Sequence, residues 1–331
     1  MQTLDAPDTA VPAVGTALRG DRRQATARRW KPGGLTIIIA LLALGGLGAG
    51  LYPMTAAWIT SYNQSQVLVG YESAIADVEP SAQEQLRQAR EYNDALSAGV
   101  VLGENANIPV GDGTLSDDSL DYSTILSANA AGLMARVKIP RIDVDLPVYH
   151  GTSDAVLDRG AGHLEGSHLP VGGIGTRSVI TAHRGLANAT MFTDLDRVEV
   201  GDTITVETFG RVLTYRVRET KVIEPDQTDT LRAEPGADLV TLITCTPLGI
   251  NTHRILVTGE RITPTPEADL TAAGQEPVIP GFPWWAVLGG GGTLLISAYL
   301  LRQGFADARM PVPARRARTH KTTKGSRGDG A

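Results

Sequence analysis

Hydrophobic positions along the chain follow three patterns. Two runs are apolar without a period: LTIIIALLALGGLGAGL at 35–51, continuing through Ala56, Ala57, Trp58 and Ile59, and FPWWAVLGGGGTLLISAYLL at 282–301. No charged residue falls between 33 and 70, and crossing a bilayer takes about 20 apolar residues, so 33–59 and 282–301 read as transmembrane helices. In 67–96 the spacing of Leu86, Ala89, Tyr92, Asn93 and Leu96 is helical, which predicts two short helices. Ser81 and Glu84 form a capping box after Pro80. From 133 onward the pattern alternates: Arg136-Val137-Lys138-Ile139, then Ile142 to Leu146, then strand-like runs at 177–182, 203–208, 212–217, 239–245 and 254–258. Turn pairs such as Gly172-Gly173, Gly201-Asp202, Phe209-Gly210 and Pro235-Gly236 separate them. Many short strands, with helical patches only near 155–158 and 190–195, predict a mostly β domain, a closed barrel or a sandwich.

The segments between these patterns are polar. Residues 97–130 are rich in Gly, Asn, Asp and Ser and read as a long surface loop, and 262–283, rich in Pro, Thr, Ala and Glu, as an extended linker. Charge orients the molecule. Residues 1–59 carry six basic and three acidic side chains and 281–331 eight and two, whereas 60–280 carry sixteen and thirty-one. By the positive-inside rule both termini belong in the cytoplasm and the acidic middle outside the cell membrane. Arg315, Arg316, Arg318, Lys321, Lys324 and Arg327 then read as a basic tail near anionic lipid, with no nucleic-acid role. A cleaved signal peptide is the alternative for the first apolar run. The thirty or so residues before it and its length favour an uncleaved anchor.

The chain has one cysteine, Cys245, so its outer domain forms no internal disulfide. Cys245 ends the run Leu239-Val240-Thr241-Leu242-Ile243, and Arg254 opens the next run across a loop with Pro247 and Gly249. A thiol and a fixed cation on neighbouring antiparallel strand ends suit covalent attack on a carbonyl, with the guanidinium facing the developing oxyanion. The bland readings are a small buried hydrophobe and a salt bridge. His183, where a strand runs into a glycine turn, is a candidate acid or base; His150, His163, His168 and His253 compete with it. His163, Glu165 and His168 match no strong zinc spacing, and neither a metal nor another cofactor is expected.

With these residues in view, the stretch from about 133 to 262 resembles the class C, pilin-polymerising sortases of Gram-positive bacteria. The resemblance is carried by Lys138-Ile139-Pro140 with Ile142 to Leu146, LPVYHGTS at 146–153, GHLEGSHLPVGG at 162–173, AHRGL at 182–186, MFTDLD at 191–196 and TLITCTPLGINTHR at 241–254. It implies an eight-stranded sortase-type β-barrel with short helices, an N-terminal helical and lid extension, and two flanking transmembrane helices. The organisation becomes a basic tail (1–32), a membrane helix (33–59), helices and lid (60–130), the barrel (131–263), a linker (264–281), a membrane helix (282–301) and a second basic tail (302–331). The implied catalytic residues are His183, Cys245 and Arg254. Cys245 would attack a Leu-Pro-X-Thr-Gly-like sorting signal between Thr and Gly, and a lysine amine of the next pilin would take the acyl group. Rival readings are a sortase anchoring surface proteins to cell-wall peptide, a cysteine protease, and a non-catalytic scaffold. The family's lid carries an Asp-Pro-aromatic plug. Tyr92-Asn93 and Tyr122 to Leu126 match its surroundings, which aligns the plug with Ile108-Pro109-Val110, where acid and aromatic are both missing. A weaker, more open lid is expected.

Overall fold

The computed structural model describes residues 30–97, 100–102, 109–111, 114–115, 120–277 and 279–307. They divide into two units: the described residues up to Gly45 together with those from Thr293 onward, and Gly46–Gly292. In the first unit the amide of Lys31 donates to the carbonyl of Gly304 at 3.2 Å. Two helices are long and apolar enough to cross a membrane, spanning Gly34–Ala76 and Trp284–Ala306. The first begins with helix α1 (Gly34–Val69) of 36 residues, about 54 Å at 1.5 Å per residue, against a hydrocarbon core of about 30 Å. Its polar last turns therefore outrun the apolar stretch. They do so because they are packed: Gln64 and Ser65 are buried, and Gln64 Nε2 donates to the carbonyl of Arg159 at 3.2 Å.

Two short helices follow, α2 (Tyr71–Ala76) and α3 (Ala82–Ala95). Ser81 caps α3 by accepting from the amide of Glu84. The reciprocal half of the capping box is absent, since Glu84 turns to Arg87 instead. Between α3 and the barrel the polar composition predicts a loop, yet two small ladders form. Strand β1 (Leu96–Ser97) pairs with β4 (Thr114–Leu115), and β2 (Val100–Leu102) with β3 (Pro109–Gly111). Pairings of two and three residues are too short to leave a legible alternation.

The barrel strands are β5 (Leu133–Ile139), β6 (Val144–His150), β7 (Ala161–His163, after the one-turn helix α4, Asp154–Leu157), β8 (Thr176–Thr181), β9 (Thr203–Thr208), β10 (Arg211–Ile223), β11 (Asp238–Thr246) and β12 (His253–Arg261). They close in the order β10-β12-β11-β8-β7-β6-β5-β9. Alternation sorts their side chains: Val137, Val148, Ile180, Val206, Leu242 and Val257 belong to the large core, whereas Val179, Ile243 and Leu256 cluster on the outer face with Leu231 from the β10–β11 connection. A two-residue turn joins β9 to β10, with Phe209 and Gly210 both at positive φ, as a type I′ hairpin requires. The strained Phe209 is held from outside, its amide donating to Tyr71 Oη at 3.0 Å and its ring edge-on to that ring. At Gly259 a Cβ would stand 2.9 Å from Tyr215 Cβ, so the close approach of β10 and β12 needs glycine there.

Residues after the barrel do not run as a plain extended linker. They form α5 (Glu267–Thr271) and fold back onto β5 and β9 before α6 (Trp284–Asp307). The cause is buried charge. Arg136, 4% exposed, pairs with Asp145 at 2.7 Å and Glu207 at 3.5 Å, and Lys138 meets Glu207 at 2.5 Å. Their remaining donors reach the carbonyls of Gln275 and Ala272, which satisfies cations that would otherwise be costly to bury.

Candidate active site

Cys245 and Arg254 are direct partners across the antiparallel β11–β12 ladder. Both continue the outer face defined by Ile243 and Leu256, because a strand alternates sides with period two. On the other flank β8 runs parallel to β11, and its last paired step joins Thr181 to Ile243. His183 lies two residues beyond Thr181, where the same register meets Cys245. The amide of Ala182 still donates to the carbonyl of Ile243 at 3.3 Å, which carries the line past the strand end. The topology thus sets His183, Cys245 and Arg254 in one row across three adjacent strands.

Burial and charge oppose each other at the thiol. Cys245 is half-buried, and desolvation pushes its thiol above the usual range while the Arg254 guanidinium pulls it down; burial is the larger effect. Arg254 is 2% exposed. Its Nη1 donates to the carbonyls of Asn251 at 2.8 Å and His253 at 3.0 Å, which ties the guanidinium to the β11–β12 loop. That loop turns where the amides of Ile250 and Asn251 both donate to the carbonyl of Pro247. It presents Leu248 and Ile250 to solvent, with Leu248 lying over Gly185, whose φ of +73° favours glycine.

The competing histidines are engaged elsewhere. His163 is fully buried, its Nδ1 3.0 Å from Tyr122 Oη and its Nε2 2.9 Å from the carbonyl of His168; burial holds it down to about 3. His168 Nδ1 accepts from the amide of Arg177, and both His150 nitrogens face carbonyls, of Gly132 and Ile125. His253 neighbours Arg254 but pairs with Thr246, on the opposite face from Cys245. Among the described residues no group of three or more His, Cys, Asp and Glu side chains is arranged to hold a metal ion. Of the plug positions, Ile108 lies outside the described residues; Pro109 and Val110 belong to β3, paired with Leu102 and Val101. Strand β2 lies against the 3₁₀ turn at Thr228–Leu231. Sequence reasoning passed over Arg184 and Thr246, although each adjoins a singled-out residue: Arg184 Nη1 donates to Thr246 Oγ1 at 2.8 Å.

A closed eight-stranded barrel of this order, with a half-buried cysteine ending one strand beside a buried arginine opening the next, is the sortase type of barrel, and the sortase domain profile matches residues 137–262. Sortase C-1 of Actinomyces oris is 43% identical at a TM-score of 0.50, the match covering 55% of this chain and 99% of that one. A Streptococcus pneumoniae sortase C, whose structure is described for its insights into catalysis and pilin substrate specificity, is 35% identical at a TM-score of 0.52, covering 60% of this chain and 96% of that one. Sortase D of Bacillus subtilis is 27% identical over 140 residues, 41% of this chain and 66% of its own length, so the match spans just under two thirds of that relative. The chain belongs to the sortase family, a family of cysteine transpeptidases, and its solved neighbours include class C sortases.

Proposed function

We propose that this protein is a membrane-anchored transpeptidase that cleaves a Leu-Pro-X-Thr-Gly-like sorting signal between Thr and Gly and joins the threonine carbonyl to a pilin lysine, polymerising pili. The reading is carried by the row of His183, Cys245 and Arg254 across β8, β11 and β12. The resting thiol is pushed up, so His183 first takes its proton as sulfur attacks the carbonyl. Arg254 orients the substrate and donates to the oxyanion; one such donor is worth about 3 kcal/mol. His183 then delivers the proton to the leaving glycine amine, and a thioester remains. The lysine amine attacks it, gives a proton back through His183, and restores the thiol; one amide is broken and one made. No metal or other cofactor takes part.

The basic tails and acidic middle support a catalytic domain outside the membrane with both termini inside. The substituted plug at Ile108-Pro109-Val110 supports a lid that guards Cys245 weakly. The decisive experiment incubates the full chain, in detergent, with a sorting-signal peptide and either a pilin subunit or a cell-wall peptide amine. Polymer with pilin, lost in Cys245→Ala, is the expected result. Product only with the cell-wall amine would make the protein an anchoring sortase, and water alone resolving the acyl enzyme would make it a protease. Polymer persisting in Cys245→Ala would leave it a scaffold. Deleting 107–112 should hardly speed alkylation of Cys245 by a bulky reagent; a large acceleration would show that the substituted plug still closes the site.

A further inference from the structure

The main-chain ladder between β8 and β11 ends at Thr181 and Ile243, two residues short of His183 and Cys245. His183 therefore sits beyond the last regular rung, with the Ala182 amide still donating to the carbonyl of Ile243 at 3.3 Å, whereas Cys245 stays paired with Arg254 on its other flank. Side chains continue the lacing. Thr181 Oγ1 donates to the carbonyl of Ile243 at 3.2 Å and Thr244 Oγ1 to that of Ala182 at 2.7 Å. Past the reactive pair, Arg184 Nη1 donates to Thr246 Oγ1 at 2.8 Å. Thr244 and Thr246 lie on the face opposite Cys245 by alternation, so these two contacts sit behind the pair, while Thr181 shares the Cys245 face.

Arg184 does more than join two strands. Its Nε donates to the carbonyl of Thr193 at 2.9 Å and its Nη2 pairs with Asp196 at 2.6 Å, with the Arg184 side chain only 9% exposed. Thr193 Oγ1 accepts from the amide of Gly185, and the carbonyl of His183 accepts from the amide of Phe192. The 183–193 loop is thus pinned at its base, and the same guanidinium ties that base to the residue after the cysteine. A planar fork spends its donors on three separate partners here, which a lysine ammonium cannot match in geometry.

We propose that Arg184 is a positioning residue that holds His183 beside Cys245 by clamping the 183–193 loop to Thr246. The proposal rests on the acyl-transfer reading above. A displacement of about 1 Å between reacting groups costs about 100-fold in rate. Arg184→Met in the full chain should therefore lower kcat on a sorting-signal peptide by about that much with KM within about twofold, the split expected when an interaction made only in the transition state is lost. Arg184→Lys should recover part of it. Thr246→Val removes only the one bond and keeps the test alive where Arg184→Met fails to fold; its loss should not multiply with that of Arg184→Met in the double variant, since both remove one contact. A kcat for the variants within about twofold of the parent, a loss carried by KM, or fully multiplicative losses would overturn the proposal. If the parent itself turns over no peptide, the transpeptidase reading falls, and the clamp is decided separately by iodoacetamide alkylation of Cys245 across pH. A midpoint displaced by about half a unit or more in Arg184→Met and also in Thr246→Val, which removes no charge, sustains the clamp, because loosening the strand end changes the burial of the thiol. Superimposable profiles refute it.

Discussion

Replacing Arg254 with Gln tests whether its charge acts on the thiol. The two residues face each other across an antiparallel pair on one side of the sheet, which brings such side chains to about 5 Å. Unit charges at that distance interact by about 3 kcal/mol at an effective dielectric of about 20, or about two pH units. The thiol is only half-buried, so solvent screening reduces this by about half. Desolvation already pushes the thiol up and Arg254 opposes it; with the guanidinium gone, the midpoint should rise further, by about one unit. Alkylation follows the thiolate fraction, so at neutral pH iodoacetamide should label the variant about tenfold more slowly, and the two rates should converge well above the new midpoint. The assay is a pH series of pseudo-first-order labelling rates, with intact mass counting one adduct. A profile that stays put or moves down would refute the reasoning, because burial alone would then set the thiol.

Three further outcomes follow from the packing. His163 is held down to about 3 from an ordinary 6.5, so between those values the unfolded chain binds the extra proton and stability falls as pH drops through 6.5. Urea melts of the parent should lose about 1 kcal/mol by pH 5.5, whereas His163→Gln, less stable at neutral pH, should lose less on acidification. Gly259→Ala should cost about 1–3 kcal/mol by overpacking Tyr215 and Val240, seen as a lower Tm with unchanged thiol labelling once refolded. Arg136→Met should destabilise by about 3–5 kcal/mol, because it strips a partner from the buried Glu207 and frees the carbonyl of Gln275; limited proteolysis should then cut first within 264–277.

Which features could be read in the chain depends on the range of the forces that make them. Most barrel strands were legible because their inner positions recur every second residue, as Val137, Ile180, Leu242 and Val257 show, whereas β7, three residues long and buried throughout, carries no period to read. Cys245 and Arg254 were legible as neighbours because a short loop joins consecutive antiparallel strands. His183 was not separable from four other histidines, since its place depends on the parallel pairing of β8 with β11, some 62 residues apart along the chain. The polar end of α1 read as the end of a helix because the partner of Gln64, the carbonyl of Arg159, is 95 residues away. The docked segment after the barrel was hidden for the same reason, its anchors Arg136 and Lys138 lying more than 130 residues upstream.

The same distinction explains how the site is built. Cys245 and Arg254, set by a local hairpin, are hard to displace, since register is fixed by eight paired steps of β11 with β12. His183 depends on longer connections: it follows a strand whose ladder has ended and precedes a glycine at positive φ. Beyond the main-chain bond from Ala182 to Ile243, the chain here places threonine hydroxyls and a buried arginine. By alternation the Thr244 and Thr246 contacts lie on the face opposite Cys245. A strand extended through His183 would secure that residue equally well but would carry the β8–β11 ladder past Cys245, where the turn at Gly185 now lets the chain swing aside. The side-chain bracket is thus the arrangement that keeps the row aligned while leaving the thiol reachable.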